Sequence, residues 1–238
     1  MKPIGIIAAM PQEIELLQQT LHQPHQLSAG GFDYVTGTIG STPVVVCAGG
    51  VGKINAAAAT AVMIARFQPQ LVINTGCAGA YHGSGLAVGD LVAACEEVLA
   101  DDGVIIPAGW RDLSYMKLPS VGQEGEECYN ILPLSRSALE KAQQLAERQS
   151  MILHSGRCAT VSTCSGTAER GAELAGRWNV VAESMEGAAV AQVCLRGGVE
   201  CLEIRGISNM VEERDLKKWE LARAVEAAQR FVLRYLEG

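Results

Sequence analysis

The sequence is poor in positive charge. It holds 19 Lys and Arg against 26 Asp and Glu, a formal net charge of −7, and no basic cluster. A surface that neutralises phosphates must be basic, so a nucleic-acid partner is excluded. Long apolar runs are missing too. None approaches the roughly 20 residues of a membrane-spanning helix, so no membrane partner is expected. The opening MKPIGIIAAM resembles a signal peptide at first sight. Its apolar run stops at Met10, and the acidic Glu13 and Glu15 follow, which suits a buried first strand better. A soluble, cytoplasmic protein is expected.

Metal-binding patterns are also lacking. His22, His25, His82 and His154 form no HExxH, and no Cys stands at finger spacing from a His, so no metal site is expected. CxxC does not occur. The eight cysteines include several inside apolar runs such as VVVCAGG and VAACEE, and they read as buried reduced thiols, not disulfides. Neither a Pro/Gly/Ser-rich linker nor an internal repeat interrupts the chain. Residues 1–238 are therefore read as one domain, with 48% hydrophobic residues supplying its core.

What is present is an alternation of strands and helices. Strands are expected at 3–9, 32–39, 43–48, 71–75, 90–95, 157–163, 179–182 and 199–207. Helices are expected at 11–21, 52–67, 135–149, 167–176, 185–197 and 215–237. The first helix carries Ile14, Leu17 and Leu21 on one face and Pro11 in its first turn. Gly40-Ser41 between two short strands marks a hairpin. This pattern predicts an α/β fold, a three-layer sandwich with a central mixed β-sheet flanked by helices. Residues 101–130 show little periodicity and read either as a lid or binding loop or as a surface excursion.

Two glycine-rich segments follow strands: AGGVGK (48–53) and TGCAGA (75–80). Neither satisfies GxxxxGK[ST] or GxGxxG. They either line a ligand crevice at strand ends or serve as tight strand-to-helix turns. Glu13, Glu183 and Glu186 lie at helix starts, where the macrodipole favours a carboxylate even without function. Arg205 on the following strand raises the interest of Glu186, because a Glu/Arg pair at adjacent strand ends can grip a diol. Ser208 lacks a His partner and a GxSxG frame, so a serine hydrolase is disfavoured.

In chain order, GIIAAMPQEIELL, GGVGKINAAAAT, VINTGCAGA, ESMEGAAVAQVC and IRGISN resemble the motifs of the nucleoside phosphorylase/nucleosidase superfamily. The resemblance covers nearly the whole chain. It looks most like the hydrolytic branch, which includes methylthioadenosine/S-adenosylhomocysteine nucleosidases and futalosine hydrolases. The resemblance implies cleavage of a purine nucleoside's N-glycosidic bond by water, with no cofactor or metal, in a homodimer or higher homo-oligomer. It implies that Glu13 orients or deprotonates the water. Glu186 would bind the ribose hydroxyls, Met185 would pack near the sugar, and Arg205 would support both. The segment Val161 to Ser165, with Cys164 and Ser165, would hold the base. Met10, Cys77, Ala78 and Gly79 would line the same pocket.

Two departures stand out. Ser184 stands where adenine-cleaving relatives tend to have a second acid, with Glu183 displaced by one position. Asn209 stands where the family's acid meets purine N7. Hypoxanthine offers acceptors at N7 and O6, and an amide NH2 can donate to both. Asn209 is thus expected to select a 6-oxopurine, and futalosine is the hydrolytic substrate that fits, with hypoxanthine as product. Arg214, Asp215 and Trp219 also match futalosine hydrolases, and Trp219 either covers the pocket or is an aromatic of the last helix. Arg111, Tyr115 and Lys117 are the residues expected to hold the substrate's carboxylated ring. Adenine-releasing methylthioadenosine/S-adenosylhomocysteine nucleosidase is the alternative. A phosphorylase is weaker, since Arg66, Arg111 and Arg157 are not at evident phosphate positions. Glu13, Glu186 and Arg205 together argue against a non-catalytic nucleoside-binding protein.

Overall fold

A computed structural model describes residues 1–122 and 127–238. Its elements begin with β1 (Ile4–Ala8), a 3₁₀ turn (Pro11–Glu13), α1 (Glu15–Thr20), β2 (His22–Ala29), β3 (Phe32–Ile39), β4 (Thr42–Ala48) and α2 (Lys53–Phe67). There follow β5 (Leu71–Ala80), β6 (Leu91–Leu99), β7 (Val104–Ile106), β8 (Gly109–Arg111), α3 (Leu113–Met116), β9 (Ile131–Pro133), α4 (Arg136–Arg148) and β10 (His154–Thr160). The chain ends with α5 (Ala168–Trp178), β11 (Ala182–Ser184), α6 (Gly187–Gly197), β12 (Glu200–Met210), a 3₁₀ turn (Leu216–Lys218) and α7 (Leu221–Glu237).

β1 is buried along its length, as a strand covered on both faces must be. Side chains alternate between the faces. Ile4, Ile6 and Ala8, with Val44 and Val46 of β4, join the core formed with α1, α4 and α7. Ile7, Val45 and Cys47 meet α2 and α6 on the other side. This is the expected three-layer α/β arrangement. The sheet is mixed: β1 pairs in parallel with β4 and β5, while β12 is parallel to β5 and antiparallel to β6. Its path runs β11-β10-β6-β12-β5-β1-β4-β3-β2. β11 also pairs with β5, so this end of the sheet curls back on itself.

Several expectations shift. The first helix is split into a 3₁₀ turn and α1, although Ile14, Leu17 and Leu21 are buried together as expected. β2 carries no apolar signal in the sequence, because its HQPHQLSA is polar and contains Pro24. It is an edge strand, mostly exposed, whose pairing with β3 breaks around that proline. TGCAGA is not a loop. It continues β5, with β12 and β11 as its partners. β12 likewise runs on through Asn209, and its register against β5 slips between Ile207 and Asn209, leaving Ser208 as a bulged residue. The 101–130 segment holds a β7–β8 hairpin and α3. Trp219 precedes the last helix instead of lying on it. Gly206 lets α7 lie close on β12, because a Cβ there would strike the Ala224 carbonyl.

Candidate active site

A crevice opens where β1, β5, β11 and β12 end. Its walls include Met10, Glu13, Cys77, Ala78, Gly79, Cys164, Ser165, Met185, Glu186, Asn209 and Trp219, which are the expected site residues with one exception. Arg205 does not face the crevice. It is 1% exposed and lies behind the wall. Val51 brings the AGGVGK loop to the same crevice. Arg111, Tyr115 and Lys117 are not part of its lining. Arg111 instead donates to the Trp110 carbonyl, and Trp110 packs edge-on to Trp178. Cys164 is exposed, contrary to the expectation of uniformly buried thiols, whereas Cys47, Cys158, Cys194 and Cys201 are buried.

Glu13 is held by three backbone donors. Its Oε2 accepts from Ala9 N at 3.1 Å and Met10 N at 2.9 Å, and its Oε1 accepts from Cys77 N at 3.0 Å. A carboxylate offers about four acceptor positions, so one lone pair on Oε1 is left for a further donor. The sharp turn after β1 follows from this chelation of its own N-terminal amides. Burial, reinforced by the Glu13 charge, pushes the neighbouring Cys77 thiol up to about 12, so it stays protonated.

Glu186 precedes α6. Its Oε1 accepts from Gly52 N at 2.9 Å and its Oε2 from Met185 N at 3.3 Å. Gly52 presents that amide from a left-handed conformation, φ 92°, which favours glycine. Arg205 Nη1 lies 3.8 Å from Glu186 Oε2. Burial raises the Glu186 carboxyl above the usual carboxylate range, with Arg205 opposing.

Behind them sits a buried polar cluster. Arg205 Nε donates to Glu203 Oε1 at 2.7 Å, and Asn74 Nδ2 donates to Glu203 Oε2 at 3.2 Å. Glu97 accepts from Thr160 Oγ1 at 2.6 Å, and Thr160 in turn accepts from Ala188 N at 2.7 Å. Glu97 and Glu203 meet beneath Gly187, where a Cβ would overlap both carboxyls. Both are fully buried. Burial first, and then the Glu203 charge, hold Glu97 well above the ordinary carboxylate range, so it is the neutral member. Burial alone would lower the Arg205 pKa, but Glu203, Glu186 and Glu13 outweigh it and keep the guanidinium charged.

Glu183, whose displacement left its role open, braces the 161–165 segment. Its Oε1 accepts from Ser165 N at 2.9 Å, and its Oε2 accepts from Ser165 Oγ and the Tyr81 hydroxyl, both at 2.7 Å. At the bulge, Ser208 Oγ lies 2.8 Å from Asn209 Oδ1, and Asn209 Nδ2 donates to the Met210 carbonyl at 3.0 Å. A carbonyl only accepts, so the amide atom facing it is nitrogen, and this fixes which way the side chain is turned. One of the two amide protons is therefore already engaged. The second remains for a ligand, which trims the expectation of two free donors. Glu183, Ser184, Ser208 and Arg214 also line the crevice, though none was assigned to the site from the sequence. Glu183 carried a usable signal, as a second carboxylate in the ESME motif. The bulge that presents Ser208 had none.

Residues 3–237 match the Phosphorylase superfamily, and the chain belongs to that family. It is an enzyme of the nucleosidase, or N-glycosyl hydrolase, type. It is 30% identical over 211 residues to the 5'-methylthioadenosine/S-adenosylhomocysteine nucleosidase of an Exiguobacterium species, covering 88% of this chain and 86% of the relative. Among solved structures, the Neisseria meningitidis nucleosidase of the same name, in complex with methylthio-immucillin-A, is 28% identical with a TM-score of 0.86, covering 100% and 99% of the two chains. A mutant of the futalosine hydrolase of Helicobacter pylori is 27% identical with a TM-score of 0.87, again covering 100% and 99%. By name, the relatives speak more for the adenine-releasing alternative than for futalosine hydrolysis.

Proposed function

We propose that the protein hydrolyses the N-glycosidic bond of a 6-oxopurine nucleoside, and that its substrate is futalosine, with hypoxanthine released. The observation that carries this reading is the orientation of Asn209. With Oδ1 turned to Ser208 and one N–H held by Met210, the amide offers the crevice an N–H. That donor suits N7 and O6 of an oxopurine, which are adjacent acceptors. Adenine keeps the N7 acceptor but sets its C6 amine, itself a donor, where an oxopurine has O6. An unpaired buried polar group costs about 1–3 kcal/mol, enough to set a base preference.

The remaining roles follow from the free valences of the site. Glu13 has one lone pair left to accept from water and align it on the sugar's anomeric carbon. Glu186, steadied by Gly52 and Met185, accepts from the ribose hydroxyls. Arg205 acts through Glu186 as a positioning residue. Water's oxygen forms the new bond to carbon, the glycosidic pair leaves with the base, Glu13 takes the water's proton, and solvent reprotonates the base. The sugar passes through an oxocarbenium-like state, which the two carboxylates stabilise.

A second reading is adenine release from methylthioadenosine or S-adenosylhomocysteine, favoured by the names of the curated relatives. The test is incubation with futalosine in phosphate-free buffer made with heavy-oxygen water. Hypoxanthine and one heavy oxygen on the sugar product are expected. Release that requires phosphate would overturn hydrolysis, and release of adenine from methylthioadenosine alone would favour the second reading.

A further inference from the structure

Three carboxylates line the crevice, and each is accounted for. Glu13 and Glu186 are held by backbone amides, and Glu183 by Ser165 and Tyr81. Among the described residues, Arg214 is the one cation of the lining. No carboxylate of the site is paired with it. The acids nearest in sequence are engaged elsewhere: Glu212 with Lys218 and His82, and Asp215 with the backbone of Lys217. The Arg214 guanidinium instead lies over the Trp219 ring, 4.8 Å from its centroid. It also stands near the Cys164 thiol.

Position within the crevice narrows what Arg214 can read. Glu13, Glu183, Ser165, Glu186 and Ser208 are all buried and form its floor. Met10, Val51, Cys164 and Arg214 are exposed and Trp219 is half-buried, so these residues form its rim. A nucleoside whose base and ribose occupy the floor reaches the rim with the substituent on the far carbon of its sugar. A planar guanidinium binds a carboxylate through two parallel hydrogen bonds. The cation–π contact with the Trp219 indole keeps the guanidinium in place.

We infer that Arg214 and Trp219 form an anion subsite that selects nucleosides bearing a carboxylate on the 5′ substituent. The inference rests on reading the crevice as a nucleoside site, but not on which base is released. Neutral 5′-methylthio nucleosides leave the guanidinium without a partner. Compounds with a carboxylate on a linker satisfy it.

The experiment is a panel of two bases and two tails on the intact protein. Futalosine is compared with inosine, both hypoxanthine nucleosides. S-adenosylhomocysteine is compared with methylthioadenosine, both adenine nucleosides. For whichever base is released, the wild type is expected to favour the carboxylated member. Arg214→Gln should lower the ratio of carboxylated to neutral kcat/KM by about tenfold or more, chiefly through KM, and Arg214→Lys by less. Raising the salt concentration should lower the wild-type ratio as well. An unchanged ratio in Arg214→Gln, whatever the absolute rates, overturns the subsite. Release of adenine instead of hypoxanthine overturns the base assignment but leaves this ratio to be read within the adenine pair.

Discussion

Asn209 sits between a hydroxyl and a carbonyl, and that pairing decides its use. The Ser208 hydroxyl suits the amide oxygen, and the Met210 carbonyl suits the amide nitrogen. A carboxyl placed there would set an oxygen against the Met210 carbonyl unless it kept its proton. Asn209→Asp is therefore expected to lower the ratio of kcat/KM for hypoxanthine release over adenine release by about tenfold, roughly 1.4 kcal/mol, within the cost of one unmatched polar group. Chromatography of the released bases reads this ratio, and an unchanged value removes amide orientation as the cause of base choice. The identity of this residue was legible in the sequence. The loss of one donor to Met210 was not, because it depends on a bulge that composition does not announce.

At the scale of the element, β5, β6, β10 and β12 together supply the support behind the site: Asn74, Glu97, Thr160, and Glu203 with Arg205. The two carboxyls differ in kind. Glu97→Gln keeps a neutral group with an N–H to offer Glu203, and turnover is expected to stay within several-fold of wild type. Glu203→Gln strips the anion from a guanidinium that is 1% exposed, and should cost about 3–5 kcal/mol of stability as well as activity. Equal losses in the two variants would contradict the assignment of Glu97 as the neutral member. Because its folded pKa is raised, Glu97 adds stability that is complete below the ordinary carboxylate pKa and fades as pH rises through the folded value. Melting curves should show wild type losing ground to Glu97→Gln as pH rises through that window. Packing makes a separate demand at Gly206, where a methyl group would meet the Ala224 carbonyl and not a movable side chain. Gly206→Ala should lower unfolding free energy by about 1–3 kcal/mol, read by denaturant titration.

The same scale shows what sequence could convey. A short apolar run located β1, Gly40-Ser41 marked the β3–β4 hairpin, and the small-residue run after Glu186 located α6. HQPHQLSA hid β2, because an edge strand facing solvent needs no apolar face. TGCAGA looked like a loop because its residues are small. Pairing on both sides makes it strand, and leaves room for Glu13 and Arg205 beside Gly76. Glu13, Glu186 and Asn209 were legible as residues that meet in one crevice, because they stand in recognisable motifs at strand ends. Arg205 was legible as a neighbour of Glu186, but not as a residue placed behind the wall.

For the whole molecule, the mixed sheet gathers into one crevice residues as distant in sequence as Met10 and Trp219. It does so in a chain of net charge −7, which disfavours long-range attraction of an anionic substrate. Screening confines that repulsion to about 8 Å at physiological salt, so the local Arg214 charge decides at the rim. The central claim concerns which base the assembled site releases. Its most direct test is a competition between futalosine and methylthioadenosine for the purified protein, with each released base identified by mass. Hypoxanthine from futalosine at a kcat/KM at least about tenfold above that for adenine is the result expected from one mismatched donor. Preferential release of adenine would contradict it.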